Sequence, residues 1–251
     1  MGSSCLIKMM ISLENIQEFA RKFQTDQENV IREYVQHLFL ANLYKLMEAE
    51  NLLFKGGTCL RFVYNSPRFS EDLDFTGRNI YRPGQIDDLF VKALSGVEKT
   101  GVRVSPEEAK PTTGGYLGVM HYELFSVTGD INFEVSLRKG SKGRGEVMTV
   151  ISDIVTPYTV VSLASDRLVT EKMRALLSRK KPRDYYDLYF LLRNPQLNRF
   201  VDKKLLKQVL DILNTERVNF RRELSVLLPV SHHMLLKEFK KALHREIMRY
   251  L

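Results

Sequence analysis

Asp72 and Asp74 stand two apart in the segment KGGTCLRFVYNSPRFSEDLDF, which runs from Lys55 to Phe75. In an extended strand alternate side chains share a face, so the two carboxylates project together while Leu73 and Phe75 turn to the other side. Alternation of this kind reads as an edge-exposed strand. Carboxylates side by side repel at neutral pH unless a cation lies between them, and paired hard oxygen donors suit Mg²⁺. Upstream, Gly56 and Gly57 follow the short apolar run Leu52–Phe54 and open a helical pattern. A glycine turn at a helix start offers bare backbone N–H groups to phosphate. Alone, Gly-Gly is an ordinary turn and Ser70-Glu71-Asp72 an ordinary solvated loop. Together, in strand–turn–helix–strand order, they describe a site for a metal-bound nucleoside triphosphate.

Gly-Gly-Thr-x-Leu-Arg (Gly56–Arg61) followed by Arg-Phe-Ser-x-Asp-Leu-Asp-Phe (Arg68–Phe75) resembles the AbiEii-type nucleotidyltransferase toxins of bacterial abortive-infection and toxin–antitoxin systems. The mycobacterial MenT toxins are relatives in that group, which lies within the DNA polymerase β-like superfamily. Three more segments carry the resemblance. Asp130–Val135 is similar to the strand that brings a third carboxylate, here Glu134. Thr170–Leu176 is similar to the family's helical Glu-Lys-x-x-Ala-Leu motif, and Lys181–Leu188 to its Arg-Asp-x-x-Asp-Leu motif. The likeness runs from about residue 30 to residue 195 and leaves the chain beyond it unmatched.

The resemblance implies nucleotidyl transfer: an acceptor hydroxyl attacks the α-phosphorus of a triphosphate and pyrophosphate leaves, with two Mg²⁺ ions (or Mn²⁺) assisting. In that scheme Asp72 and Asp74 bridge both metals, and Glu134 completes the metal that activates the hydroxyl and takes its proton. Gly56, Gly57 and Thr58 cradle the β- and γ-phosphates, with Arg61 and Arg68 as phosphate clamps and Ser70 in the same loop. Lys172 grips the triphosphate, and Asp187 orients Lys172 or the acceptor. The residues themselves leave alternatives open. Arg68 can pair with Glu71 or Asp72, Ser70 can simply bond its own loop, and Lys172 can be a surface cation paired with Glu171 or Asp166. Asp184 and Asp187, three apart, share one side of a helix. Asp184 also suits a first-turn acid held by the helix dipole, and which of the two serves the nucleotide stays open.

These residues need a scaffold, and 251 residues suffice for one large domain or two modest ones. Thr25–Glu50 has a helical pattern opened by a Thr25-x-x-Glu28 capping box, suited to packing behind a sheet. Leu52–Phe54 and Asp72–Phe75 read as strands flanking a short helix over Thr58–Tyr64. A helix over 85–99 follows, then strand-like segments at Val102–Val104, Tyr116–Phe125, Ile131–Leu137 and Val147–Ile154. No strand pattern appears beyond Val161, and Ser165–Ser178, Arg183–Arg193, Val201–Thr215 and Leu235–Leu251 read as helices. The fold class expected is α+β: a polymerase-β-like nucleotidyltransferase lobe over residues 1–160, with a mixed sheet of about five strands. A helical C-terminal lobe, residues 161–251, faces it across a cleft.

Composition narrows the surroundings. Hydrophobic residues make up 44% of the chain, which excludes global disorder. No apolar run reaches the roughly 18–20 residues of a membrane span, and the first residues lack a signal-peptide pattern. Cys5 and Cys59 give no disulfide framework or metal spacing, and His121, His232, His233 and His244 give no zinc set. A cytoplasmic protein without a membrane partner is expected. The net charge of +8 and a pI near 9.4 favour polyanionic partners. Basic clusters at Arg138, Lys139, Lys142 and Arg144, at Arg179, Lys180, Lys181 and Arg183, and at Lys203, Lys204 and Lys207 serve equally well as solvated faces.

The leading expectation is Mg²⁺-dependent transfer of a nucleoside monophosphate to RNA, with the 3′ end of tRNA the favoured acceptor and a cognate antitoxin the protein partner. Transfer to a protein or small-molecule hydroxyl keeps the same chemistry. A nucleotide- or RNA-binding module without turnover is the non-enzymatic alternative. No side-chain pattern encodes the choice of nucleotide.

Overall fold

The computed structural model describes residues 11–80, 84–137 and 143–251. Cys5, Arg138, Lys139 and Lys142 lie outside these. Two helices lead: α1 (Leu13–Phe23) and α2 (Gln27–Leu43). Ser12 and Asn15 close a capping box on α1, and Gln24, in the left-handed region at φ 54°, ends it. The N-cap of α2 is Asp26, whose side chain accepts from the Asn29 N–H, so the expected Thr25–Glu28 box does not form. Thr25 instead accepts from the Asn29 side chain at 2.9 Å. α2 stops at Leu43, and the stretch expected to continue it holds a 3₁₀ turn over Met47–Asn51.

The sheet-bearing part then runs β1 (Leu52–Lys55), α3 (Gly56–Tyr64), β2 (Leu73–Gly77), α4 (Gly84–Glu98), β3 (Arg103–Thr112), β4 (Gly115–Leu124), β5 (Val127–Ser136), β6 (Gly145–Val150) and β7 (Tyr158–Leu163). Helices follow: α5 (Ser165–Arg179), α6 (Pro182–Arg193), α7 (Lys203–Thr215), α8 (Phe220–Leu227), α9 (His233–Lys237) and α10 (Phe239–Tyr250). Among the described residues no helix is long and apolar enough to cross a membrane.

The sheet is mixed and seven-stranded, in the order β3-β4-β5-β2-β1-β7-β6. β2 pairs in parallel with β5 and β1 in parallel with β7, and the other pairs are antiparallel. Two expectations are corrected here. The Asp-Leu-Asp-Phe strand is central rather than at an edge, and its polar side is half-buried at Asp74 and buried at Thr76. The sheet also has more strands than the five or so expected, because β7 follows Pro157 and is held by its neighbours. β7 ends at Leu163 and α5 begins at Ser165.

One sheet face is sealed by α2 and α4. Phe54 and Phe75 pack with tilted rings at 5.5 Å, Phe75 and Phe133 likewise at 4.9 Å, and Phe133 reaches Phe39 and Phe90 at 5.5 and 5.3 Å. Aromatic pairs at such spacings add about 0.5–1.5 kcal/mol each beyond their burial. Because side chains alternate along strands, fixing Phe54, Phe75 and Phe133 inward turns Lys55, Asp74 and Glu134 to the opposite face. A second aromatic group, Tyr185, Tyr186, Phe220 and Phe239, ties α6, α8 and α10 together.

Candidate active site

Register builds the site. Lys55 on β1 is the Cα partner of Asp74 on β2, and Asp74 in turn is the partner of Glu134 on β5, so the three lie abreast across the sheet. Asp72 precedes β2 by one residue, and its Oδ1 accepts from the Asn132 side chain at 2.9 Å. Asn132 lies two residues before Glu134 and shares its face.

Gly56 opens α3 at φ +82°, and a Cβ there would lie 2.0 Å from Asp74 Oδ2, so only glycine lets that carboxylate rest against the helix start. A Cβ on Gly57 would lie 2.4 Å from the Arg68 guanidinium and 2.7 Å from Ser70 Oγ. The Thr58 hydroxyl donates to the Asp72 carbonyl at 2.5 Å. The Gln36 side chain on α2 donates to the Ser70 and Glu71 carbonyls at 3.1 and 2.9 Å. The loop entering Asp72 is thus fixed from both sides.

Behind the carboxylates the charges alternate. Arg68, 3% exposed, grips Asp187 with two bonds of 2.8 and 3.1 Å, and Lys172 donates to the same carboxylate at 2.7 Å. Burial pushes the Asp187 carboxyl up, but the Arg68 and Lys172 cations outweigh it and hold the group down at about 2. Burial raises the Asp74 carboxyl, Asp72 adds to the rise, and Lys172, Lys55 and Arg179 oppose it. Glu134 is raised by desolvation at the sheet face and then by Asp74 and Asp72.

The aspartates of α6 divide their work. Asp187 holds Lys172, and Asp184 accepts from Arg179 at 2.6 Å. Two residues three apart therefore each fix a cation of α5 at the edge of the carboxylate row. A cleft of about 1100 Å³ opens there, lined by Lys55, Asp74, Glu134, Glu171, Arg174 and Arg179, with the β3–β4 turn Thr112–Gly115 along one side. Lys55 and Glu171 pair across it at 2.9 Å.

Several expectations meet a different arrangement. Arg61 does not reach the carboxylates: its guanidinium binds Glu33 and the Ser66 and Pro67 carbonyls and lies 3.6 Å over the Phe69 ring. Arg68 pairs with Asp187 rather than Glu71 or Asp72, and its burial makes it a support for the site rather than a clamp open to the cleft. Lys172 pairs with neither Glu171 nor Asp166. The basic run Arg179–Arg183 is partly matched, since Lys180 binds Glu216 and Arg183 stands 3.7 Å from both Glu71 and Glu223. Lys55, Gln36, Asn132, Arg174 and the β3–β4 turn were not singled out from the sequence. Two of them left a signal: Asn132 alternates with Glu134, and Gln36 is a polar residue among the apolar positions of α2.

Among the described residues no three His, Cys, Asp or Glu side chains converge closely enough to enclose a metal ion unaided. Mg²⁺ ordinarily keeps several waters and takes one or two protein carboxylates together with substrate phosphates. The donors fit that mode. Asp72, Asp74 and Glu134 are hard oxygen ligands on one face, and the upward push each of Asp74 and Glu134 feels from its acidic neighbours is what a cation relieves.

In fold the chain is similar to MenT4, a nucleotidyltransferase toxin from Mycobacterium tuberculosis H37Rv, with a TM-score of 0.64 and 16% identity over 94% of this chain and 88% of that one. It is also similar to JHP933 from Helicobacter pylori, with a TM-score of 0.54 and 17% identity over 90% of this chain and 96% of that one. No curated protein matches it. The model of the nucleotidyl transferase AbiEii toxins, a type IV toxin–antitoxin system, matches residues 38–249. A match over that much of the sequence, joined to a carboxylate row beside a glycine-opened helix, makes the chain a nucleotidyltransferase that belongs to the AbiEii toxin family.

Proposed function

We propose that the protein transfers a nucleoside monophosphate from a nucleoside triphosphate to an RNA hydroxyl, with the 3′ end of tRNA as acceptor. It acts as the toxin of a toxin–antitoxin pair in the cytoplasm, with a cognate antitoxin protein as its partner. The observation that carries this reading is the register: Lys55, Asp74 and Glu134 abreast, Asp72 beside them, and the N-terminus of α3 pressed against Asp74. Net charge of +8 supports a polyanionic acceptor. The sheet-bearing and helical parts serve as two lobes with the cleft between them.

In this reaction the acceptor oxygen bonds to the α-phosphorus. The bond from that phosphorus to the oxygen bridging it to the β-phosphate breaks, and pyrophosphate departs with the electron pair. Asp72, Asp74 and Glu134 would hold Mg²⁺, which when bound would supply neutralisation of the triphosphate and activation of the hydroxyl. Glu134, exposed on the face it shares with Asp74, takes the hydroxyl proton. Gly56, Gly57 and Thr58 present the α3 N–H groups to the phosphate tail. Lys172, fixed by Asp187, and Arg179, fixed by Asp184, bind phosphate oxygens without having to be ordered first.

The test is incubation of the purified protein with Mg²⁺, each of the four α-labelled ribonucleoside triphosphates and total cellular RNA, with Asp74→Ala as control. Label in a tRNA-sized band with the natural sequence and none with the variant is the expected result. Pyrophosphate release without RNA label points to a protein or small-molecule acceptor, and absence of both refutes turnover.

A further inference from the structure

The helical end of the chain carries charge that the transfer chemistry leaves unused. A groove of about 890 Å³ runs between the start of α8 and the α9–α10 segment. Its floor is apolar and buried, built from Phe220, Leu236 and Phe239. Its rim carries Arg221, Lys237, Lys240, Lys241 and Arg245, all exposed, against one lining acid, Glu238.

Nearby acids are already matched. Glu238 pairs with Lys241 at 2.6 Å, Glu246 with Arg193 and Arg249 at 2.9 and 3.0 Å, and Glu216 with Lys180. Glu223 stands 3.7 Å from Arg183. Among the described residues Arg221, Lys237 and Arg245 therefore have no acidic partner, and Lys240 donates only to a backbone carbonyl, that of Glu216 at 3.3 Å. Like charges gathered around a concave surface repel one another, and phosphates along a polyanion reverse that repulsion.

α8 also joins this groove to the site. Its last residue, Leu227, accepts from the Phe69 N–H at 2.8 Å, and Arg183 bridges Glu71 of the catalytic loop and Glu223 of α8. Eight residues of helix span about 12 Å. The groove thus lies about one short helix from the loop that enters Asp72.

Resting on the RNA-acceptor reading above, we infer that this groove holds the sugar–phosphate backbone of the RNA acceptor away from its reacting end. The rim sets five long-stemmed cations around the groove with only Glu238 among the lining acids, a charge balance that suits a chain of phosphates. Contacts of this kind set affinity without reading sequence.

The experiment compares the natural protein with the triple variant Arg221→Glu/Lys237→Glu/Arg245→Glu, and with the milder Arg221→Gln/Lys237→Gln/Arg245→Gln. All three positions are exposed, and a thermal melt verifies the fold. Transfer to tRNA is measured as a function of tRNA, triphosphate and salt. The expected result is a rise of about tenfold or more in the KM for tRNA, with kcat and the KM for triphosphate unchanged. Three lost phosphate contacts should also make log KM against log salt shallower by about 2–3. If the natural protein labels tRNA and both variants keep its KM and salt slope, the groove inference is overturned while the RNA reading stands. Loss of antitoxin binding with an unchanged KM for tRNA overturns it too, in favour of a protein surface. A natural protein that releases pyrophosphate but labels no RNA overturns both.

Discussion

Arg68→Met and Lys172→Met separate the two cations that share Asp187. The Arg68 and Asp187 side chains are 4% and 2% exposed, and Lys172 is 11% exposed. Removing the arginine leaves a buried carboxylate held by one lysine, and breaking such a pair costs about 3–5 kcal/mol. At about 2–4 °C per kcal/mol for a chain of this size, Tm falls by about 6–20 °C. Lys172→Met leaves both arginine bonds in place, so Asp187 stays compensated and stability drops by only about 1 kcal/mol. Activity follows the opposite ranking when each variant is measured where it is folded. Loss of a charge-assisted bond to the triphosphate removes about 1.5–3 kcal/mol, or about 10- to 150-fold in kcat/KM. Thermal melts and steady-state pyrophosphate release on the two variants and the natural protein supply the comparison. A Lys172→Met protein that melts as early as Arg68→Met while keeping full specific activity would refute the reasoning, because Lys172 would then be a structural partner of Asp187 and nothing more.

Acid should destabilise the protein through His37, which stacks on Phe62 and shares a 2.8 Å hydrogen bond with the Tyr158 hydroxyl. Burial, and then the Arg61 charge, depress its imidazole to about 3 from the ordinary 6.5, so the folded state keeps it neutral while the unfolded chain takes up a proton below 6.5. Its contribution is complete above pH 6.5 and is lost towards pH 3 at about 1.4 kcal/mol per unit; urea midpoints should show a loss of about 2 kcal/mol between pH 7 and 5 that His37→Gln largely removes. Gly56→Ala places a methyl against Asp74 Oδ2, and a displacement on the order of 1 Å at a reacting group predicts a loss of about 10²-fold in pyrophosphate release, with circular dichroism unchanged. Asn132→Ala removes the 2.9 Å bond that orients Asp72 and should lower kcat/KM about fivefold, the equivalent of about 1 kcal/mol, without altering the KM for tRNA.

Legibility followed range. The glycine turn, Asp72 and Asp74 lie within one short segment, and their chemistry could be read from local spacing. The outward face of β2 could likewise be read from its alternation, but not its central place in the sheet, since a strand's neighbours are chosen by distant residues. β7 escaped notice because Tyr158–Leu163 is short and follows Pro157, and its parallel pairing with β1 leaves no mark in its own sequence. Arg61 was misplaced because its partner Glu33 sits on another helix, 28 residues away. The division of labour between Asp184 and Asp187 was unreadable for the same reason, since only the packing of α5 on α6 says which cation each one meets.

The parallel pairing of β2 with β5 has a kinetic side. Asp72 and Asn132 are 60 residues apart, and closing a loop of that length costs about 3–4 kcal/mol in chain entropy before the pairing contacts repay it. Such non-local joins form slowly, and the site cannot exist as a fragment. A nascent chain that has not yet produced β5 lacks Glu134, and one that has not reached α6 has no Asp187 to hold Lys172 or Arg68. The carboxylate row and the cations behind it must therefore assemble late in folding. By the same logic no small local opening can part Asp74 from Glu134, because that requires separating two strands in the middle of the sheet. Heat or denaturant should then abolish activity and structure in a single transition.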